Sequence, residues 1–338
     1  MSPTWNHHLP TLSILDRANT RTGAPPAQIL HEVIHRAQRA EALGYHRFWV
    51  AEHHAVPGIA GSAPTLLMAA LAQATDTIRI GSGGIMVPSH QPLVIAEQIG
   101  TLEALFPSRI DIGLGSSVGF TAPVRRALGQ ENSDRFRAPE MIRDVISFLN
   151  ATAEITAQPP NHATTPLFVL ASSGSIPTAA KLGAGVVVGG PALIEYSEPH
   201  REKLAAYRDD FVIDEHRGQQ PHVILSLNVA VADTESQARD LLLSEAWAMA
   251  RSRSVGAFHP LQDPAEVRDA LAHAPARERE RTRDHLAQGL SGTPGAVAEQ
   301  LTDLARFYSA DEVLITGGIF DPDARRAIDE RLTHSPRA

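Results

Sequence analysis

Along most of the chain, short unbroken apolar runs alternate with segments whose apolar residues recur every three or four positions. The runs at 11–15 (TLSIL), 47–51 (RFWVA), 78–87 (IRIGSGGIMV) and 109–115 (RIDIGLG) predict the first four strands. Those at 166–173 (PLFVLASS), 184–190 (AGVVVGG), 222–232 (HVILSLNVAVA) and 312–318 (EVLITGG) predict four more. Most lack polar alternation, which implies a parallel sheet covered on both faces. Between them, 25–45 sets Ile29, Val33, Ile34, Ala37, Ala40 and Leu43 on one helical face and stops at Gly44. The stretches 64–75, 92–106 and 135–150 read as further helices. Such repeated strand–helix units favour a closed (β/α)8 TIM barrel over an open sheet. A mixed, Arg-rich stretch from about 234 to 293 reads as an insertion between strand seven and the last helix–strand pair. With no tandem repeat and no clear boundary, residues 1–338 read as a single domain.

Composition narrows the function classes. With 338 residues, 43% of them hydrophobic, the chain can bury a large core without disulfide or metal staples. It has no cysteine, which removes thiol nucleophiles and zinc–thiolate sites and fits a reducing compartment. A net charge of −8, lysine only at Lys181 and Lys203, and no basic run argue against a nucleic-acid partner. The N-terminal MSPTWNHHLP lacks the pattern of a signal peptide, and no apolar stretch approaches the ~18 residues of a membrane span. A soluble, cytoplasmic protein is expected.

In barrels of this kind the reacting groups lie at the C-terminal ends of strands and in the loops that follow. Glu52, His53 and His54 fall there on strand two. A strand-end imidazole can move protons or donate to a reacting oxygen; alternatively, the pair is a loop satisfied by backbone. A metal is not expected, because no nearby carboxylate and third histidine show ligand spacing. The remaining histidines read as solvated or satisfied in the core.

Gly83 and Gly84 interrupt an otherwise buried strand. Either a flat ring lies against the backbone there, or the barrel bulges. In ASSGSIPTAAKLGAG (171–185), Ser172, Ser173, Gly174 and Ser175 form a hydroxyl-rich turn before a helix that opens near Pro177. Such a turn suits a phosphate, and plain N-capping by Ser175 is the alternative. GLGSSVG (113–119) does not meet the dinucleotide pattern, since its third glycine falls one place late.

Together, RFWVAEHHAVPGIAGSAPTLLMAALA, IRIGSGGIMVPSHQPLVIAEQIGTLEALFPSRIDIGLG and FTAPVRRALG resemble the bacterial luciferase-like flavin monooxygenase family. The resemblance runs through residues 12–130, continues at ASSGS and VVVGG, and returns at TPGAVAEQL and DEVLITG. It implies a flavin at the barrel mouth, with reduced FMN supplied by a separate flavin reductase. Dioxygen would add to it as a C4a-(hydro)peroxyflavin that oxygenates a small organic substrate. A sister branch uses the deazaflavin F420, and a non-catalytic flavin-binding relative is a third possibility. The resemblance assigns proton transfer to His53, a cis peptide against the flavin ring to Gly83–Gly84, and the phosphate to Ser172, Ser173, Gly174 and Ser175. After strand four the family commonly has Gly-Arg, where this chain has Gly115-Ser116. Losing that charge-assisted contact would weaken FMN binding by ~1.5–3 kcal/mol unless Arg125 or Arg126 replaces it. A homodimer is expected on the same grounds.

Overall fold

The apolar runs form β1 (Thr11–Asp16), β2 (Arg47–Val50), β3 (Arg79–Met86), β4 (Ile110–Gly115), β5 (Leu167–Ala171), β6 (Gly185–Gly189) and β7 (Val223–Val231). Two later strands are β8 (Leu290–Gly292) and β9 (Glu312–Thr316). The computed structural model describes residues 9–130, 137–161, 165–172 and 174–333. Each strand from β1 to β7 pairs in parallel with the next; β9 joins β7 and then β1, closing an eight-stranded (β/α)8 barrel. The eighth barrel strand is therefore β9. The short β8, not anticipated from the pattern, pairs with the far half of β7 through Val229 and Leu290.

Proline starts several of the surrounding helices, as its fixed φ and missing N–H allow: Pro26–Ala42, Pro64–Gln73 and Pro92–Leu105. The first stops where Gly44 takes a φ of +78°, a conformation glycine adopts without strain. It buries Ile29, Val33, Ala37 and Ala40, the expected face, while Ile34 and Leu43 pack at its margin.

Trp49, Phe168, Val187, Ile224 and Leu314 meet inside the barrel, with Leu15 and Leu170 against them. Trp49 and Phe168 pack edge to face, 5.1 Å between centroids. A Cβ on Gly81 would lie 2.4 Å from Trp49 Nε1. Gly81 is thus glycine because the indole fills its space.

Below this layer the barrel is plugged by ions. Arg47 pairs with Asp111 at 2.7 Å and Glu312 at 2.9 Å, and Arg79 pairs with Asp111 at 2.6 Å. Ser13 and His222 also bond Glu312. Burial opposes ionisation of Glu312, yet the His222 hydrogen bond, the Arg47 cation and the Ser13 hydroxyl hold its carboxyl down at about 2.

The insertion after β7 is largely helical: Glu235–Leu241, Leu243–Val255, Pro264–His273 and Ala276–Ala287. It is stitched to the rim of the mouth. Gly58 N–H donates to Phe258 O at 2.8 Å, and Thr22 N–H donates to Leu261 O at 2.8 Å. No helix among the described residues is long and apolar enough to cross a membrane.

Candidate active site

Inward-facing positions can be followed up each strand by parity. On β1, Ser13 and Leu15 face inward, so the series continues to Arg17; on β9, Glu312 and Leu314 lead to Thr316. On β2, Arg47 and Trp49 lead toward His53. These side chains rim the C-terminal mouth.

Just past β2, Glu52 is buried and His53 is half-buried. The Glu52 carboxylate accepts from Met86 N–H at 3.0 Å and so ties the end of β2 to the end of β3. His54 Nε2 lies 2.6 Å and His90 Nε2 lies 2.9 Å from Glu52 Oε1. His54 and Glu52 are therefore framework, and His90, expected to be either solvated or satisfied in the core, joins them as a half-buried partner of Glu52. The ligating atoms of Glu52, His54 and His90 lie within 4.8 Å of one another. Sequence spacing conceals this grouping, and the hydrogen bonds account for it.

His53 differs from its neighbours. Its backbone N–H donates to Gly61 O at 3.0 Å, but the buried Nδ1 has no hydrogen-bond partner. The ring stacks on Phe120 of the loop after β4, at 6.2 Å and 11°. Burial first, then the Arg17 cation, push its pKa down to about 4, against the opposing pull of Glu52. At neutral pH the imidazole is uncharged. It can accept a proton.

Gly83 and Gly84 are joined by a cis peptide bond. The register against β4 also shifts between Gly83 and Ile85, so the bulge and the special backbone coexist. A Cβ on Gly84 would lie 2.5 Å from Gly113 O, so close strand packing alone requires glycine there.

At the end of β5, Ser172 and Gly174 are exposed and Ser175 precedes the helix Ile176–Lys181; Ser173 lies outside the described residues. The plain capping alternative does not hold. Ser175 Oγ donates to Ser172 O at 3.1 Å, and no side chain caps the helix. Pro177 has no N–H and Thr178 N–H donates to Ser175 O at 3.1 Å, so few of the helix's first N–H groups remain for another acceptor. Ser116 is exposed past β4. Arg125, a possible replacement for the absent arginine, spends Nη1 on Gly119 O at 2.9 Å, bracing the Phe120 loop.

Three contributors escaped the pattern reading. Arg17 pairs with Glu245 of the insertion, and Asn19 Nδ2 and Thr316 Oγ1 are buried without partners. Strand parity from Ser13 and Leu15 was the one signal for Arg17.

A neutral histidine and a glycine-rich strand end share the C-terminal mouth of the barrel, and comparison with known proteins gives the family. The luciferase-like monooxygenase model matches residues 12–310. The chain belongs to that family. It is 33% identical to a luciferase-like monooxygenase of Escherichia coli (strain K12), covering 93% of each chain. It is 30% identical to the N-acetyl-S-alkylcysteine monooxygenase of Bacillus subtilis (strain 168), covering 96% of each. Among solved structures, apo-MsnO8 superposes with a TM-score of 0.82 at 30% identity, over 97% of this chain and 98% of that one. Similar in fold alone are an FMN complex of the oxygenating constituent of 3,6-diketocamphane monooxygenase (TM-score 0.70, 17% identity; 97% of each chain). So is the F420-dependent tetrahydromethanopterin reductase of Methanopyrus kandleri (TM-score 0.67, 15% identity; 97% of this chain, 98% of that one).

Proposed function

We propose that the protein is a flavin-dependent monooxygenase that uses reduced FMN and dioxygen to oxygenate a small organic substrate. The observation that carries this reading is His53, an uncharged imidazole whose buried Nδ1 meets no protein partner at the mouth. Full-length relatives named monooxygenases support the same reaction class.

The residues present fit a flavin. Gly83 and Gly84 set no side chain of their own against a ring, and the turn at Ser172, Gly174 and Ser175, whose helix no side chain caps, offers polar groups to a phosphate; Ser173, the fourth member of the expected turn, lies outside the described residues. A Cβ at Gly174 would meet nothing within 4 Å, so the turn is open. Bound reduced flavin supplies the two electrons with which one oxygen atom goes to substrate and the other leaves as water. His53 holds or returns the accompanying proton at Nδ1, and Phe120 shields that imidazole from water. Glu52 fixes the loop that carries it.

A transient flavin reductase, a homodimeric assembly and a cytoplasmic location belong to the same proposal. Its test is a titration of the purified protein with reduced FMN and, separately, reduced F420. The expected result is preferential binding of reduced FMN and an altered rate of its reoxidation. Preference for F420 would move the enzyme to hydride transfer. Binding of neither would end the flavin reading.

A further inference from the structure

Nine buried side-chain polar atoms among the described residues have no hydrogen-bond partner, and four of them belong to residues at or just past the C-terminal ends of β1, β2 and β9. They are Arg17 Nε, Asn19 Nδ2, His53 Nδ1 and Thr316 Oγ1. Buried polar groups are normally paired, so a local concentration of orphans marks a place where a ligand supplies the partner. His53 belongs to the reaction site already described. Arg17 and Asn19 follow the end of β1, and Thr316 is the last residue of β9.

The corner is built, not accidental. β1 and β9 pair in parallel through Ile14 and Ile315, so Thr316 stands level with Leu15, two residues short of Arg17 on the adjacent strand. The loop after β2 folds back on this point: a Cβ on Gly61 would lie 3.2 Å from Arg17 O. Asn19 bridges to Ile59 of that loop. The insertion closes the far side with Glu245, which accepts from Arg17 and from Gly318 N–H at 2.6 Å. Glu245 thus holds Arg17 by one nitrogen and leaves Nε unspent.

The orphans beside Arg17 are donors: a guanidinium N–H, an amide N–H and a hydroxyl. Their natural complement is a pair of acceptor oxygens carrying negative charge. We propose that Arg17, Asn19 and Thr316 form a carboxylate-binding subsite, so that the substrate is a small organic acid. The proposal rests on the mouth being the reaction site and names what that site selects. Its elements are all independent of the flavin.

The test uses the full-length protein with acetate and acetamide as probes, small enough to enter without regard to the rest of the substrate. Side-chain 15N NMR signals of Arg17 Nε and Asn19 Nδ2 report occupancy, and flavin binding is measured in parallel by absorbance. The expected result is saturable shifts of both signals by acetate, at least tenfold weaker for acetamide. Arg17→Gln should abolish the acetate response of the Asn19 Nδ2 signal and Arg17→Lys should restore part of it, with flavin affinity and cooperative folding retained and the melting temperature lowered by loss of the Glu245 hydrogen bond. Equal response to acetate and acetamide, or an unchanged response in Arg17→Gln, overturns the subsite. Loss of flavin binding in the wild type with the acetate response intact overturns the flavin reading instead.

Discussion

Glu245 accepts a hydrogen bond from Arg17 across 228 positions of sequence, and so fastens the insertion to the first strand of the barrel. Side-chain exposure is 20% for Arg17 and 6% for Glu245, so neither charge is freely solvated. Glu245→Ala leaves Arg17 and the Gly318 N–H without their acceptor. It is expected to cost about 1.5–3 kcal/mol, the range for hydrogen bonds to charged groups. Urea unfolding of the two single variants and the double variant should show strong non-additivity. Simple addition would mean that the pair is not coupled.

Arg17 also governs His53. Its cation is the second cause, after burial, of a histidine pKa near 4. Arg17→Gln should therefore raise that pKa toward the ordinary value, leaving burial to hold it partly down. A base works in its neutral form, so the acid limb of the rate profile should move to higher pH. NMR titration of His53 in the variant measures the shift directly, and an unmoved titration would exclude the Arg17 influence.

The same histidine leaves a mark on stability. Its folded value of about 4 lies below the 6.5 of a free imidazole, so between them the unfolded chain binds more protons. Stability should fall as pH drops from about 6.5 to about 4, then stop falling on this account. His53→Asn should flatten that slope. Glu312 acts in a separate window: its depressed carboxyl contributes stability above about 4.5, lost as pH falls toward 2. Two distinct acid phases in thermal unfolding would fit both assignments.

Glu52 supports three partners at once, so truncation there is expected to be costly. Glu52→Ala strips the acceptor from Met86 N–H, His54 and His90. A loss of about 2–4 kcal/mol is expected from several buried partners left unpaired. Chemical denaturation measures it, and a loss below about 0.5 kcal/mol, the scale of ordinary surface changes, would mark the cluster as solvated instead.

Much of the fold was legible because buried parallel strands advertise themselves as unbroken apolar runs. Every barrel strand lies within one or two residues of its expected position. The insertion was not legible as helices. Ala276–Ala287, ARERERTRDHLA, buries only Thr282, so its sequence carries almost no apolar stripe to read. Site legibility followed the same division. His53 and the glycines lie at strand ends, where barrel topology points to chemistry. Glu245 sits in a charged stretch and finds its meaning only in a partner across the fold. His90 was hidden for a similar reason, since Glu52 is 38 positions away.

The central claim, that a flavin reacts with oxygen beside His53, is tested most directly by anaerobic loading with reduced FMN followed by rapid mixing with oxygenated buffer. The account predicts reoxidation kinetics distinct from those of free reduced FMN, with the difference lost or shortened in His53→Ala while flavin affinity persists. Reoxidation indistinguishable from free flavin in the wild-type protein would contradict it.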